Sequence, residues 1–293
     1  MGKRAYKPAD LRGRPFSGSA AVREGLLTVD QLHGRAWRML FRDVYVDADQ
    51  PVTYLFRCRA VGLILPPGGA ITGRSAARLS GLPLGDPTDP VEVVVPPNVR
   101  FRSRGCRVRR AWLPAGHVLS GEPRVTVPQR TAWEIASGPD LVEAVVALDI
   151  LFHYTYLRPA AMESWAAVYP RSRAATALSL ADGRSESPQE TRARLRILAA
   201  GFPAPVPQHE VWVKSSLLAR LDLAWPAAKV AVEYDGEWHA DGRQLAHDRY
   251  RLNKLVDAGW VVLHLTKRDL ADPALFAVFA EQLRAALARA ATI

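Results

Sequence analysis

Three apolar runs, PVPQHEVWV, ARLDLAWP and KVAVEYDG, follow one another between Pro205 and Gly236. Their connections are too short for a crossover helix, so the strands they form must pair antiparallel. No other part of the chain restricts the fold as tightly. Ahead of them SPQETRARLRILAAGF reads as a helix, with Ser187 as N-cap, Pro188 in the first turn and Gly201 as the stop. After them LAHDRYRLNKLVDAG reads as a second helix and WVVLHLT as a fourth strand. The expected result is a mixed sheet flanked by helices, within an α/β (α+β) chain.

The third run ends in carboxylates, which are poor strand formers and costly to bury without a cation. Side chains alternate along a strand, so Glu233 and Asp235 share the face of Lys229 and Ala231, opposite Val230, Val232 and Tyr234. Asp222 is expected to point away from the apolar face of Leu221 and Leu223 and to lie beside Glu233 across the short AWPAA connection. Such a cluster raises its own pKa values unless a cation occupies it. Hard oxygen ligands suit Mg²⁺, which takes one or two protein carboxylates plus water and phosphate oxygens. The structural alternative is that Asp222 pairs with Arg220 or Lys229, Asp235 and Gly236 make an ordinary turn, His239 is a surface residue and Glu190 completes a capping box with Ser187. Asp248, Arg249, Arg251 and Lys254 on the following helix add the basic groups that phosphodiester hydrolysis needs beside a metal.

Upstream, AAVREGLLTVDQLHG reads as two short helices about a turn at Gly25, with Thr28 capping the second, and WRMLFRDVYVDADQP as a strand or hairpin. That order suggests a winged helix. A helix around Tyr54 to Leu65 follows, then a short helix opened by Ser75 and closed by Gly81. The strands VEVVVPP and CRVRRAWL flank VRFRSRGCRVRR, whose arginines either track a phosphate backbone, Arg107 and Arg109 foremost, or form the wet face of a hairpin. From Pro128 to about Asp182 the spacing is helical, with His153, Tyr154 and Tyr156 as core or interface residues, and LADGRSESPQE reads as a linker.

At 293 residues the chain has room for two domains of roughly 100 to 200 residues each, or for one large one. A net charge of +10 either draws the chain to polyanions, nucleic acid first, or is a solubilising basic surface. Two cysteines, Cys58 and Cys106, exclude a disulfide framework or a Cys-rich zinc site and fit a reducing cytosol. The longest apolar stretch, AVGLILPPGG, is too short and broken for a bilayer span, so no membrane partner is expected and the location is cytoplasmic.

Residues from about Glu190 to Asp269 resemble the Vsr-like branch of the PD-(D/E)XK nuclease superfamily, the bacterial domain related to very-short-patch-repair endonucleases. Glu190, Asp222 in LDLAWP, Glu233, Asp235 and Gly236 in VEYDG, His239, Asp248 and Arg251 carry the likeness. It implies Asp222 as the metal-binding aspartate, Glu233 as the second acid, Glu190 as support and His239 as an aid near the scissile phosphate. The superfamily's lysine falls at Asp235, leaving His239, Lys229 or Arg251 to replace it, and the zinc site of true Vsr enzymes has no counterpart. The front half, on REGLLTVDQLHG, FRDVYV and ITGRSAARLSGLPL, is similar to AbiEi-type antitoxins and regulators, which implies DNA or protein-partner binding.

The organisation expected is a winged-helix region at 1–84, a strand pair with a helical middle at 85–184, and a nuclease-like domain at 185–293. The function expected is Mg²⁺-dependent DNA cleavage, with Mn²⁺ as substitute, in which Asp222, Glu233, Asp235 and His239 are catalytic, Asp222, Glu233 and Glu190 hold metal, and Arg249, Arg251, Lys254, Arg107 and Arg109 contact phosphate. The alternatives are a DNA-binding regulator on an inactive nuclease fold, and a module that recognises another protein through its front region.

Overall fold

The computed structural model describes residues 6–155, 157–236 and 242–290, apart from the side chains of 242–249. Tyr156 and His239 therefore lie outside the described residues. Packing divides the chain into two units, Met1–Ser137 and Gly138–Ile293. Both mix helix and strand, as the α+β expectation requires.

In the first unit β1 (Phe16–Ser17) runs into α1 (Gly18–Arg23), where Ser17 accepts the Ala20 N–H as N-cap. Gly25 turns the chain at a φ of +72°. Thr28 and Gln31 then form a reciprocal capping box at the single-turn α2 (Val29–Leu32). The hairpin β2 (Trp37–Phe41) and β3 (Val44–Asp47) joins β1 in the order β1-β3-β2. Helix, turn, helix and hairpin thus stand in the order expected.

After α3 (Tyr54–Gly62) and β4 (Ala70–Ile71), α4 (Gly73–Leu79) begins at Thr72. Ser75, expected to open it, lies inside it. Its hydroxyl is 2.6 Å from the Tyr54 hydroxyl and accepts the Glu92 N–H at 2.7 Å, an attachment local sequence does not reveal. β5 (Val91–Val95) pairs antiparallel with β4 and parallel with β6 (Cys106–Arg110), before α5 (Pro128–Ala136). The arginine-rich stretch is therefore no hairpin, because residues 96–105 carry the chain back so that both strands run the same way. The boundary expected after residue 84 falls within this unit, since β4 and β5 share a sheet.

The second unit opens with α6 (Leu141–Tyr154), α7 (Glu163–Val168), α8 (Arg173–Leu180) and α9 (Pro188–Ala199). Then come β7 (Val206–Val213), β8 (Ser216–Trp225), β9 (Val230–Asp235), α10 (Gly242–Asp257), β10 (Val261–Thr266), α11 (Lys267–Ala271) and α12 (Pro273–Ala290). The sheet order is β10-β9-β8-β7, antiparallel except for the parallel β9–β10 pair that α10 connects. Ala193 and Ile197 of α9 and Phe276, Phe279 and Leu283 of α12 cover one face around Leu223, Val230 and Val232. Leu255 of α10 covers the other, around Leu221, Ala224 and Ala231.

Asp149 of α6 accepts from Thr191 and Arg194 of α9, both at 2.8 Å, and from the Asp182 N–H at 2.6 Å. These bonds bind the helical stretch to the sheet's first helix, so the boundary expected near Arg184 also falls inside one packing unit. No helix among the described residues is long and apolar enough to cross a membrane.

A candidate carboxylate site at a break in the sheet

The antiparallel ladder between β8 and β9 ends at Leu223↔Val232. One residue further, the Asp222 carboxylate takes the Tyr234 N–H at 2.8 Å in place of a backbone partner. Opposite Asp222 on β7, Gln208 has a φ of +51°, a left-handed conformation that costs a non-glycine residue of order 1 kcal/mol or more. This irregularity shifts the pleat. Leu221 packs toward α10 and Leu223 toward α9 and α12, so the two do not share the face expected of them.

The strained Gln208 aims its amide between two acids. Its Nε2 donates to Glu190 Oε2 at 2.8 Å and to Asp222 Oδ1 at 3.4 Å. Glu190 reaches this point because Ser187 caps α9, accepting the Glu190 N–H at 3.1 Å. The same Glu190 oxygen also accepts the Glu186 N–H at 2.9 Å, so Glu190 serves both helix start and acid cluster. The alternative pairings expected for Asp222 do not occur: Arg220 bonds Glu186 at 2.7 Å, and Lys229, in a left-handed cap before β9, donates to the Ala258 carbonyl at 2.9 Å. The Lys229 ammonium is therefore engaged at the C-terminal end of α10 rather than at Asp222.

Glu233 is buried, and among the described residues its Oε1 has no hydrogen-bond partner. Its nearest ion-pair partner is Arg251 of α10, at 3.6 Å. In register beside Glu233 on β10 stands His264, whose Nδ1 lies 3.1 Å from Asp235 Oδ2. Sequence reading missed both Gln208 and His264. A glutamine after a proline in a strand, and a histidine two residues from a strand's end, become conspicuous only once β7 faces β8 and β10 faces β9.

Burial pushes the Asp222 carboxyl up to about 6, with the Tyr234 N–H opposing and Glu190 reinforcing the shift. Burial pushes Glu233 up to about 7, Asp222 adding to the rise while Arg251 and His264 oppose it. Carboxyls of an unfolded chain titrate near 4. The folded state therefore binds extra protons, and the stability these groups contribute is present at low pH and lost as pH rises through about 6 to 7. Metal-free protein is expected to melt at falling temperature from about pH 5 to about pH 8. An Asp222→Asn, Glu233→Gln variant should show a shallower decline, and equal slopes would show that these carboxyls do not carry the effect.

Among the described residues no three His, Cys, Asp or Glu side chains form a ready-made metal cage. The donor chemistry is nevertheless that of a hard-cation site: two carboxylates whose charge burial opposes, one with an oxygen that makes no hydrogen bond among the described residues and faces Arg251 at 3.6 Å. Mg²⁺ and Mn²⁺ take such a partial oxygen set with water completing the shell. The expected phosphate contacts are placed unevenly. Arg251 turns to Glu233, while Lys254 lies 3.8 Å from Asp257 and 5.7 Å from the Tyr250 ring centre. Arg107 pairs with Glu92 at 3.1 Å and Arg109 with Glu134 at 2.9 Å. The side chains of Asp248 and Arg249 lie outside the described residues.

No family model matches the chain. Over 150 residues it is 31% identical to Uncharacterized protein MT2308 of Mycobacterium tuberculosis (strain CDC 1551 / Oshkosh) and, equally, to Uncharacterized protein Rv2248 of the H37Rv strain. The match covers 50% of this chain and 55% of each relative, so the chain spans about half the length of the curated relatives it matches.

Proposed function

We propose that the protein is a DNA-binding, Mg²⁺-dependent endonuclease-like phosphodiesterase whose site is the carboxylate cluster of residues 138–293, on a fold of the PD-(D/E)XK type. One observation carries this reading: Asp222 and Glu233 stand at a break in the sheet with their carboxyl pKa values raised by burial, and Glu190 is tied to Asp222 through a strained Gln208. Residues with raised carboxyl pKa values and strained backbone both cluster at functional sites.

Asp222 and Glu233 would hold Mg²⁺, with Glu190 in support. Bound there, the ion supplies positive charge to the scissile phosphate and lowers the pKa of its water. Arg251 offsets charge at Glu233 from the α10 side, and Asp235 orients the His264 ring beside it. The test is nicking of supercoiled plasmid and cleavage of single-stranded DNA with Mg²⁺ or Mn²⁺ against EDTA. No product with either metal would overturn the catalytic reading.

Asp235, standing where the superfamily carries lysine, favours a second reading in which the fold binds DNA as a regulator without cutting it. Salt-sensitive, metal-independent binding with no strand breaks would select it.

Gln208→Ala is expected to weaken Mn²⁺ binding, followed by electron paramagnetic resonance, about 10- to 100-fold, the usual effect of losing a residue that orients metal ligands. Unchanged Mn²⁺ affinity would remove Gln208 from the site.

A further inference from the structure

We propose that residues 99–104 form a sequence-independent surface for the phosphate backbone of duplex DNA, with Arg100, Arg102 and Arg104 as its contacts. From Val93 to Gly121 the chain has six arginines and no acidic residue or lysine. The six are not equivalent. Arg107 and Arg109 are taken by Glu92 and Glu134. Arg100, Arg102 and Arg104 are exposed, and among the described residues no ion pair or hydrogen bond occupies their guanidinium groups.

The segment that carries them is pinned. The Val99 N–H donates to the Pro96 carbonyl at 3.0 Å, and the Cys106 N–H to the Ser103 carbonyl at 3.1 Å. Gly105, at a φ of +81°, lets its carbonyl accept the Val91 N–H at 2.8 Å. Between these ties Phe101 packs into the core around Val91 and Val93. Anchoring alternate residues leaves Arg100, Arg102 and Arg104 facing solvent on a backbone already ordered, which lowers the entropy cost of binding.

The chemistry favours phosphate. Guanidinium forks match phosphate oxygens in bidentate geometry. Within residues 99–104 the aromatic Phe101 packs inward, so the segment presents charge without an apolar pocket for peptide side chains. The absence of Gln and the single Asn98 in this stretch offer little base readout, as expected of a positioning surface. The inference shares with the proposed function only the choice of DNA as partner.

The test measures binding of the full chain to a labelled DNA duplex in EDTA across a salt series. Each phosphate contact adds about 0.9 to the slope of log affinity against log salt. Arg100→Gln, Arg102→Gln, Arg104→Gln is expected to lower that slope by about 2.7, whereas Arg107→Gln, Arg109→Gln should lower it by less than about one. Circular dichroism checks that both variants fold. An unchanged slope in the triple variant, or a loss as large in the control, overturns the proposal. So does tighter binding of poly-glutamate or duplex RNA than of duplex DNA at equal salt. Because EDTA suppresses cleavage, slope loss without any nuclease activity keeps this surface and sinks only the nuclease reading. Intact cleavage with an unchanged slope does the reverse.

Discussion

Asp222→Ala with Glu233→Ala is expected to lower Mg²⁺-dependent nicking of supercoiled plasmid by about three orders of magnitude, with DNA affinity in EDTA changed only a fewfold. The size follows from the charge stabilisation a bound metal supplies to a phosphoryl transition state, several kcal/mol at about 1.36 kcal/mol per decade. Affinity is spared because binding draws on arginines elsewhere, and removing acids cannot weaken attraction to a polyanion. Loss of folding is not the expected cause. Burial raises both pKa values, so at neutral pH the folded state holds carboxylates against an unfavourable environment. Asp222→Asn with Glu233→Gln, which keeps an acceptor for the Tyr234 N–H, should leave the metal-free melting temperature unchanged or higher, whereas Asp222→Ala also strands that donor at a cost of about 1–3 kcal/mol. Asp222→Ala alone should already abolish detectable cleavage. Cleavage retained by the double variant would take both residues out of the site.

Asp149→Ala is the change expected to damage stability most. Asp149 is 1% exposed and Arg194 is 5% exposed, joined at 2.8 Å. Burial pushes the Asp149 carboxyl up to about 6 despite the guanidinium beside it. Truncation strands a buried cation and leaves the Thr191 hydroxyl and the Asp182 N–H without their acceptor. Breaking one partner of such a pair costs about 3–5 kcal/mol. In a domain of this size that corresponds to a fall in melting temperature of about 6–20 °C. The pair as a whole need not be stabilising, and Asp149→Leu with Arg194→Met is expected to recover much of the loss. A single variant melting within about 2 °C of the wild type would show that water reaches the stranded cation.

Much of the second unit was legible along the chain. Ser187, Pro188 and Gly201 bound α9 because capping and stopping depend on residues within one turn. The three strands pair antiparallel because two- to four-residue connections permit nothing else. Glu190, Asp222 and Glu233 were legible as a group for the same reason: short connections bring near neighbours in sequence together in space.

The arginines of residues 100–110 show where that legibility stops. All six read alike, yet Glu92 and Glu134 capture two of them, while Arg100, Arg102 and Arg104 have no ion pair among the described residues. Lys229 and Arg220 looked like partners for Asp222 and are bound elsewhere, by the Ala258 carbonyl and by Glu186. Local order, capping, strand pairing and the presence of an acid cluster followed from short-range sterics and hydrogen bonding, which neighbouring residues settle. Which cation neutralises which acid, the left-handed Gln208 between Glu190 and Asp222, and His264 beside Glu233 were decided by packing between residues 14 to 45 positions apart. Charge pairing depends on distance in space and on burial, and neither is set until the sheet closes.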